Sequence, residues 1–466
     1  MNNVLFNDKA NIENILDAVK NAGVNYFRSI DNRPVGISEQ VNSLADLPQQ
    51  GIGAQQALIF FNEHFLPNIV ASSGSRYWGF VTGGTTPAAI AGDWLTSIFD
   101  QNTQSFKGNG DISAMLEMHT INMMLELFGI PQEFIGGFVT GATMSNFTGL
   151  AVARQWLGKQ MGFDIAKDGL QGDFTIYTAV PHSSSVKSLS MLGIGSKNII
   201  SVPVLPGRES MDIEALEQVI GDSNKPFILL TSGGTVNTVD FDDMRTIARL
   251  KSKYNFWWHV DAAFGGFAAC SPLHKHLLDG WELADSITID NHKWMNVPYD
   301  SAVIFTRKEH AVLQVETFQN SNAPYLGDPL ENFTYLNYLP ENSRRFRALS
   351  AWFSLMAYGI EGYRYIVENS IRLAKKFGRY IDTSQHFVLT GPVRLNTVCF
   401  ALKNPAEREH KTGLLLTELN RRGKVFMTPT KYNGVVSIRA AFVNWQTKDE
   451  DIDIAITELE SAVKSI

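Results

Sequence analysis

Six short apolar runs punctuate the middle of the chain, each bounded by turn chemistry. They are 174–180 (FTIYTAV), 198–204 (NIISVPV), 226–231 (PFILLT), 256–260 (FWWHV), 285–290 (DSITID) and 301–306 (SAVIFT). Helical periodicity appears between or beside them at 112–128, 145–160, 212–220 and 241–253. Strands that are apolar at nearly every position must be covered on both faces. Alternating β and α elements then predict a mostly parallel sheet in an α/β domain over residues 71–345. From residue 346 the pattern changes to long helices (347–382), strands at 397–402 and 434–440, and a last helix at 447–465. That is a smaller α+β domain, 346–466. Residues 1–70 read as a helical segment, with Ile12, Ile15, Leu16 and Val19 on one side of an amphipathic helix. Turn chemistry follows at 31–34 and 46–53.

Composition narrows the class. With 466 residues the chain exceeds one small core. It is 44% hydrophobic and 19% charged, an ordinary globular balance. A net charge of −7 argues against nucleic acid or an anionic membrane as the main partner. Cys270 and Cys399 lie far apart in apolar surroundings, so neither a disulfide framework nor a zinc site is expected. No run approaches the roughly 20 apolar residues of a membrane span, and no basic, then apolar leader opens the chain. The expectation is a cytoplasmic protein.

The chemistry concentrates at strand ends. Asp261 closes the run 256–260 and is followed by Ala262, Ala263 and Gly265–Gly266. Strand carboxyl ends are where open α/β sheets bind ligands. A carboxylate buried there needs a cationic partner. In ADSITIDNHKWMNVPYD, residues 284–300, Lys293 follows His292 just after a strand. A buried aspartate and a downstream lysine are what a pyridoxal 5′-phosphate (PLP) enzyme needs. The lysine forms a Schiff base with the cofactor aldehyde, and the aspartate keeps the pyridine nitrogen protonated.

Three further segments agree. GGFVTGATMSNFTGLAVAR, residues 136–154, is a glycine-rich turn opening a helix. The amides near Ala142 and Thr143 and the Thr143 hydroxyl suit a phosphate dianion. In AVPHSSSVKSLSML, residues 179–192, His182 leaves a strand and opens a helix, where an imidazole lies on the cofactor face opposite Ala263. In LLTSGGTVNTVDFDDM, residues 229–244, Thr235, Asn237 and Thr238 are candidate partners for the cofactor's 3′ oxygen or a substrate carboxylate.

Taken in order, these motifs resemble the group II PLP-dependent amino acid decarboxylases, which include aromatic-amino-acid, glutamate and diaminobutyrate decarboxylases. HVDAAFGG, DSITIDNHKWMNVPYD and SRRFRALSAWF (343–353) carry the likeness, over about residues 35–460. The resemblance implies the type I, aspartate-aminotransferase-like fold and a homodimer with active sites at the interface. It implies Lys293 as the Schiff-base residue, Asp261 as the pyridine partner and His182 as the ring-stacking histidine. Ala142 and Thr143 then hold the phosphate, supported by His292. A tyrosine on a mobile loop returns the proton to Cα in this family. An ungapped match back from Arg344 places Tyr335 there, with Tyr338 as the alternative. Asn291, Met144 and Val236 depart from the commonest family pattern without removing a catalytic group.

The expected reaction is decarboxylation of an L-amino acid to the amine and CO₂. Tyr77, Trp78, Phe80 and Thr82, in SRYWGFVTGGTT, line the substrate side in the family and favour an aromatic side chain. Arg76 would instead recruit an acidic one. The alternatives are decarboxylation with oxidative deamination to an aldehyde, carbon–carbon lyase chemistry, or a silent PLP-binding protein. Arg439 is the one candidate for the carboxylate-holding arginine of an aminotransferase.

Overall fold

A computed structural model describes residues 3–36, 46–105, 111–319, 330–331 and 333–466. In chain order the strands of the larger unit are β1 Phe134–Val139, β2 Ile176–Thr178, β3 Ile199–Ser201, β4 Phe227–Ser232, β5 Phe256–Asp261, β6 Ser286–Ile289 and β7 Ala302–Arg307. They form one sheet in the order β1-β7-β6-β5-β4-β2-β3. β2 to β6 run parallel, and β7 runs against both β6 and β1. Successive side chains on a strand point to opposite faces, and on every strand but the edge strand β3 both faces are buried. Ile228, Leu230 and Trp257 pack with Leu150, Val152 and Leu157 of the helix Ala142–Gln160. Leu229, Trp258 and Val260 pack on the other side with Ile121, Leu125 and Ile247.

All six predicted strands are present. β1 was not predicted, because FIGGFV carries two central glycines and reads as a turn. The glycines serve packing: a Cβ at Gly136 would lie 2.9 Å from Ile304 O, and one at Gly137 2.6 Å from Leu339 Cδ1.

The smaller unit is an antiparallel sheet of β8 Phe387–Leu389, β9 Thr397–Leu402, β10 Thr428–Tyr432 and β11 Val435–Ala441, in the order β10-β11-β9-β8. The helices Ala348–Thr383, Arg408–Arg421 and Asp449–Lys464 cover it. The first of these breaks at Gly359, whose φ of 56° is left-handed. In the N-terminal segment the helix Ile12–Ser29 forms as expected, but Ile12, Leu16 and Phe27 on it remain exposed. No helix among the described residues is long and apolar enough to cross a membrane.

One site expectation fails here. Trp78, placed above on the substrate side, is 1% exposed inside the smaller unit's core. Its ring lies 4.5 Å from Phe442 and 5.7 Å from Phe377, and its backbone bonds to Phe426 O and Ala441 N. Burial of a large apolar ring outcompetes a place at a solvated pocket. Arg76 is likewise structural, paired with Asp451 at 3.1 Å and bonded to Lys424 O. Residues 75–78 therefore pack on the small unit rather than the large one. Trp78→Ala is expected to cost about 3–5 kcal/mol of stability in denaturant unfolding. A pocket-lining tryptophan would instead leave the unfolding midpoint unchanged and alter only KM.

Candidate active site

Two strands end side by side at the carboxyl edge of the large sheet. Asp261, the last residue of β5, pairs with Thr288 of β6. After β6 the chain passes Asp290 into the short helix Asn291–Trp294, which carries Lys293. Asp290 N donates to Ala263 O at 2.8 Å and ties the two strand ends together. A cavity of about 230 Å³ opens beside them, lined among others by His182, Thr235, Asp261, Ala263, Lys293 and Arg439. Phe80, Val81, Val180, Pro181, Val236 and Phe264 give it apolar walls.

Lys293 has 15% of its side chain exposed. Its Nζ lies 3.2 Å from Asp290 Oδ2 and 5.6 Å above the Phe264 ring. Burial alone raises the Asp290 carboxyl, but Lys293 and His292 outweigh it and hold it below the usual carboxylate value. His292 Nε2 is 3.2 Å from Asp290 Oδ1, and its ring stacks on Tyr299 at 4.1 Å. A strap, residues 80–84, closes over this turn. A Cβ on Gly83 would lie 1.6 Å from Lys293 O, so only glycine fits. Phe80 and Val81 are both left-handed, with φ of 55° and 61°. Such conformations cost about 1–3 kcal/mol each and persist where surrounding packing imposes them.

Asp261 is 8% exposed, yet forms no ion pair among the described residues. Its Oδ2 accepts from Asn146 Nδ2 at 2.9 Å and Ser185 Oγ at 3.1 Å, and its Oδ1 from Ala263 N at 3.3 Å. His182 caps the helix Ser183–Met191, with Nδ1 accepting from Ser184 N at 3.2 Å. In the neutral ring the proton therefore sits on Nε2. Desolvation by the pocket walls lowers the His182 pKa; Asp261 opposes this, and Lys293 and Arg439 add to it.

The helix end expected to hold the phosphate lies alongside. Ala142 and Thr143 form the first turn of the helix Ala142–Gln160, where amides lack intrahelical acceptors. His292 closes one side: a Cβ on Gly141 would lie 3.2 Å from its Cε1. The residues fit PLP. Asp261 is a buried carboxylate awaiting a cation, the helix end suits a dianion, and Ala263 leaves room opposite His182 for a flat ring. Arg439 adds a buried Nε without a partner among the described residues, while its Nη1 donates to Val236 O.

Other expected contacts differ. Thr235 lines the cavity, but its hydroxyl donates to Glu209 Oε2 at 2.6 Å and accepts from Asp240 N. Its one proton is therefore not free for a cofactor oxygen. Thr238 donates to the same Glu209 oxygen, and Asn237 binds Thr430 of the smaller unit. Phe80 lines the cavity and is 62% exposed. Tyr77 stacks on Phe426 at 4.5 Å, and Thr82 meets the Tyr299 hydroxyl at 3.4 Å, both outside the cavity lining.

Tyr335 is not in the pocket. It opens the short helix Tyr335–Tyr338, is fully buried among Phe333, Tyr338 and Leu339, and carries the Arg344 guanidinium 4.5 Å from its ring. Burial pushes its hydroxyl pKa well up. Residues 323–329 and 332 of the loop expected to carry it lie outside the described residues. Sequence reading also missed Asn146, Ser185 and His259 as supports of Asp261. Their trace was faint: His259 is two residues from Asp261, hence on the same strand face, and Asn146 is a polar residue on the inward side of a helix.

A mostly parallel sheet of this order with a smaller α+β unit is the type I fold. The family model for the pyridoxal-dependent decarboxylase conserved domain matches residues 46–403. This chain belongs to that family; it is an amino acid decarboxylase with PLP as cofactor. An aromatic-L-amino-acid decarboxylase of Bacillus atrophaeus is 26% identical over 452 residues, covering 92% of this chain and 90% of the relative. One from Drosophila lebanonensis is 30% identical over 365 residues, covering 74% and 88%. The crystal structure of Oryza sativa TDC with PLP and tryptamine superposes with a TM-score of 0.89 at 20% identity, over 98% of each chain.

Two outcomes are expected. The Tyr335 hydroxyl has no hydrogen-bond partner among the described residues. Tyr335→Phe should then leave the melting temperature unchanged or raise it, since an unpaired buried hydroxyl costs about 1–3 kcal/mol. A clear drop would reveal a partner. His259 is buried neutral, its pKa lowered from 6.5 by desolvation against the pull of Asp261. The unfolded chain binds that proton as pH falls below 6.5 and the native state does not, so this contribution to stability is lost on acidification. Unfolding curves of His259→Gln should show a shallower decline over that window.

Proposed function

We propose that this decarboxylase acts on an aromatic L-amino acid, releasing the amine and CO₂, and works as a cytoplasmic homodimer. The observation that carries the site assignment is Asp261: a buried carboxylate, without a cation among the described residues, facing the same cavity as Lys293.

Bound there, PLP supplies an electron sink for the pair released when the Cα–carboxylate bond breaks. The protein's residues do the rest. Lys293 anchors the cofactor's aldehyde carbon and is held in place by Asp290. Asp261 would hold a proton on the ring nitrogen. The amides of Ala142 and Thr143, with His292 beside them, hold the phosphate. His182, whose pKa burial lowers, would face the ring from the side opposite Ala263. Arg439 brings a cationic side chain to the cavity wall. The apolar walls Phe80, Val81, Val180 and Phe264 expel water and favour an aromatic side chain. Tyr335 remains the candidate for returning the proton to Cα, a role for which it must leave its packed position.

Exposed apolar residues support the dimer. Phe80 and Tyr299 are each 62% exposed, and Ile12, Leu16 and Phe27 lie uncovered on one N-terminal helix. Apolar surface of this kind marks an interaction face. Two buried free thiols, Cys270 and Cys399, suit a reducing compartment.

The test is a screen of the PLP-loaded protein against the common L-amino acids, following CO₂ and organic products together. Aromatic amine in step with CO₂ is expected; aldehyde with ammonia and peroxide would move the function to oxidative deamination. Lys293→Ala should abolish turnover while leaving the dimer intact by sedimentation. Asp261→Ala should cost about 100- to 1,000-fold in kcat.

A further inference from the structure

Asp261 is the last member of a hydrogen-bond chain that runs back through the sheet. Trp257 Nε1 donates to Ser286 Oγ at 3.0 Å. Ser286 Oγ meets His259 Nδ1 at 2.7 Å. His259 Nε2 meets Asn146 Oδ1 at 3.0 Å, and Asn146 Nδ2 donates to Asp261 Oδ2 at 2.9 Å. Trp257, Ser286, His259 and Asn146 are all 0% exposed, so water does not compete for these bonds.

Chemistry at the two ends sets the direction of every bond. An indole N–H can only donate, and a carboxylate can only accept. Ser286 therefore takes the indole proton and passes its own to His259 Nδ1. The imidazole, neutral because it is buried, carries its proton on Nε2 and gives it to Asn146 Oδ1. The Asn146 amide is thereby turned with its NH₂ toward Asp261. The opposite direction requires a protonated Asp261 donating to a flipped Asn146, and a His259 protonated on Nδ1 pointing at Ser286. Ser286 would then receive two protons, from Trp257 and His259, and its own would lose its acceptor. The chain therefore fixes Asn146 as a donor to Asp261 Oδ2; with Ser185 and the Ala263 amide, every bond to Asp261 comes from a donor, the arrangement a carboxylate accepts. Its Oδ2 is saturated by Asn146 and Ser185, which leaves Oδ1 as the oxygen with room for a further donor.

We propose that Trp257, Ser286, His259 and Asn146 form a positioning chain that locks Asp261 as a carboxylate and so keeps the PLP ring nitrogen protonated. The inference rests on the PLP site described above and adds the residues that set its charge. His259 acts through Asn146 and touches neither cofactor nor substrate. Neutral donors are needed because no cation pairs with Asp261 among the described residues. The titratable groups near it are His259 on its own strand, His182 across the cavity, and Lys293, Asp290 and Arg439, whose charges reach His182.

The experiment uses holoenzyme reconstituted with PLP carrying ¹⁵N in the pyridine ring. The nitrogen chemical shift reports ring protonation directly, independent of turnover. Wild type should bind PLP and show a protonated nitrogen across the neutral range; failure to bind would sink the PLP site itself and the inference with it. In His259→Phe, Asn146 loses the donor that orients it. The nitrogen should move toward the neutral pyridine position and titrate near neutral pH, with kcat lower by about 10- to 100-fold and KM little changed. His259→Gln, whose amide N–H replaces Nε2–H, should restore most of both. Ser286→Ala removes only the donor that selects the tautomer. It should shift the nitrogen in the same direction by less, and it decides the matter if the phenylalanine variant does not fold. Folded variants that bind PLP with the wild-type shift and pH profile would overturn the proposal and leave His259 as packing.

Discussion

The site depends on a carboxylate that the protein buries with no positive partner among the described residues. Taking a carboxylate out of water costs several kcal/mol unless donors replace the water it loses. Asp261 gets three donors from three directions: the side chain of Asn146 on one helix, that of Ser185 on another, and the backbone N–H of Ala263. None neutralises it. That unspent charge is what the proposed protonated ring nitrogen would meet. It also explains why two helices and β5 must meet at one point with little tolerance.

A second constraint joins the two units of the chain. Residues 73–86 leave the small unit's core at Trp78, cross above Lys293 at Gly83 and enter the helix Pro87–Phe99. Asn296, held left-handed at φ 57°, gathers the ends of this strap. Its Nδ2 donates to Val443 O, its Oδ1 accepts from Trp445 N, and its O accepts from Thr86 N. Asn444 Nδ2 reaches back to Ser73 O and Gly74 O. The turn that carries Lys293 is therefore clamped between strap and small unit. Lysine position, pocket wall and domain packing form one mechanical unit.

Where sequence reading succeeded, local chemistry and tertiary role agreed. Strands β2 and β4 to β7 were readable because burial on both faces demands apolar residues throughout, whereas the exposed edge strand β3 was readable from an apolar run bounded by turn chemistry. Asp261 and Lys293 were readable because a charged residue stands at the end of each of two such runs. Where it failed, a distant contact decided the outcome. FIGGFV became β1 because Ile304 and Leu339 leave no room for side chains at its centre. Thr235 spends its proton on Glu209, whose approach nothing near the glycine turn announces. Tyr335 follows the family spacing but packs beneath Arg344, which is itself buried against Glu117 at 2.6 Å.

The amino-acid sequence by itself determined the α/β class, the alternation that makes the sheet parallel, the family and the cofactor. These follow from periodicity and from residue types that few other chemistries place in that order. Only the tertiary structure decided which aromatics face the pocket and which fill the core. It alone oriented the chain from Trp257 to Asp261. Side-chain direction and hydrogen-bond polarity are set by whatever lies opposite, and here that is chain tens to hundreds of residues away: Ser286 against His259, Asn146 against Asp261, Phe377 and Phe442 against Trp78.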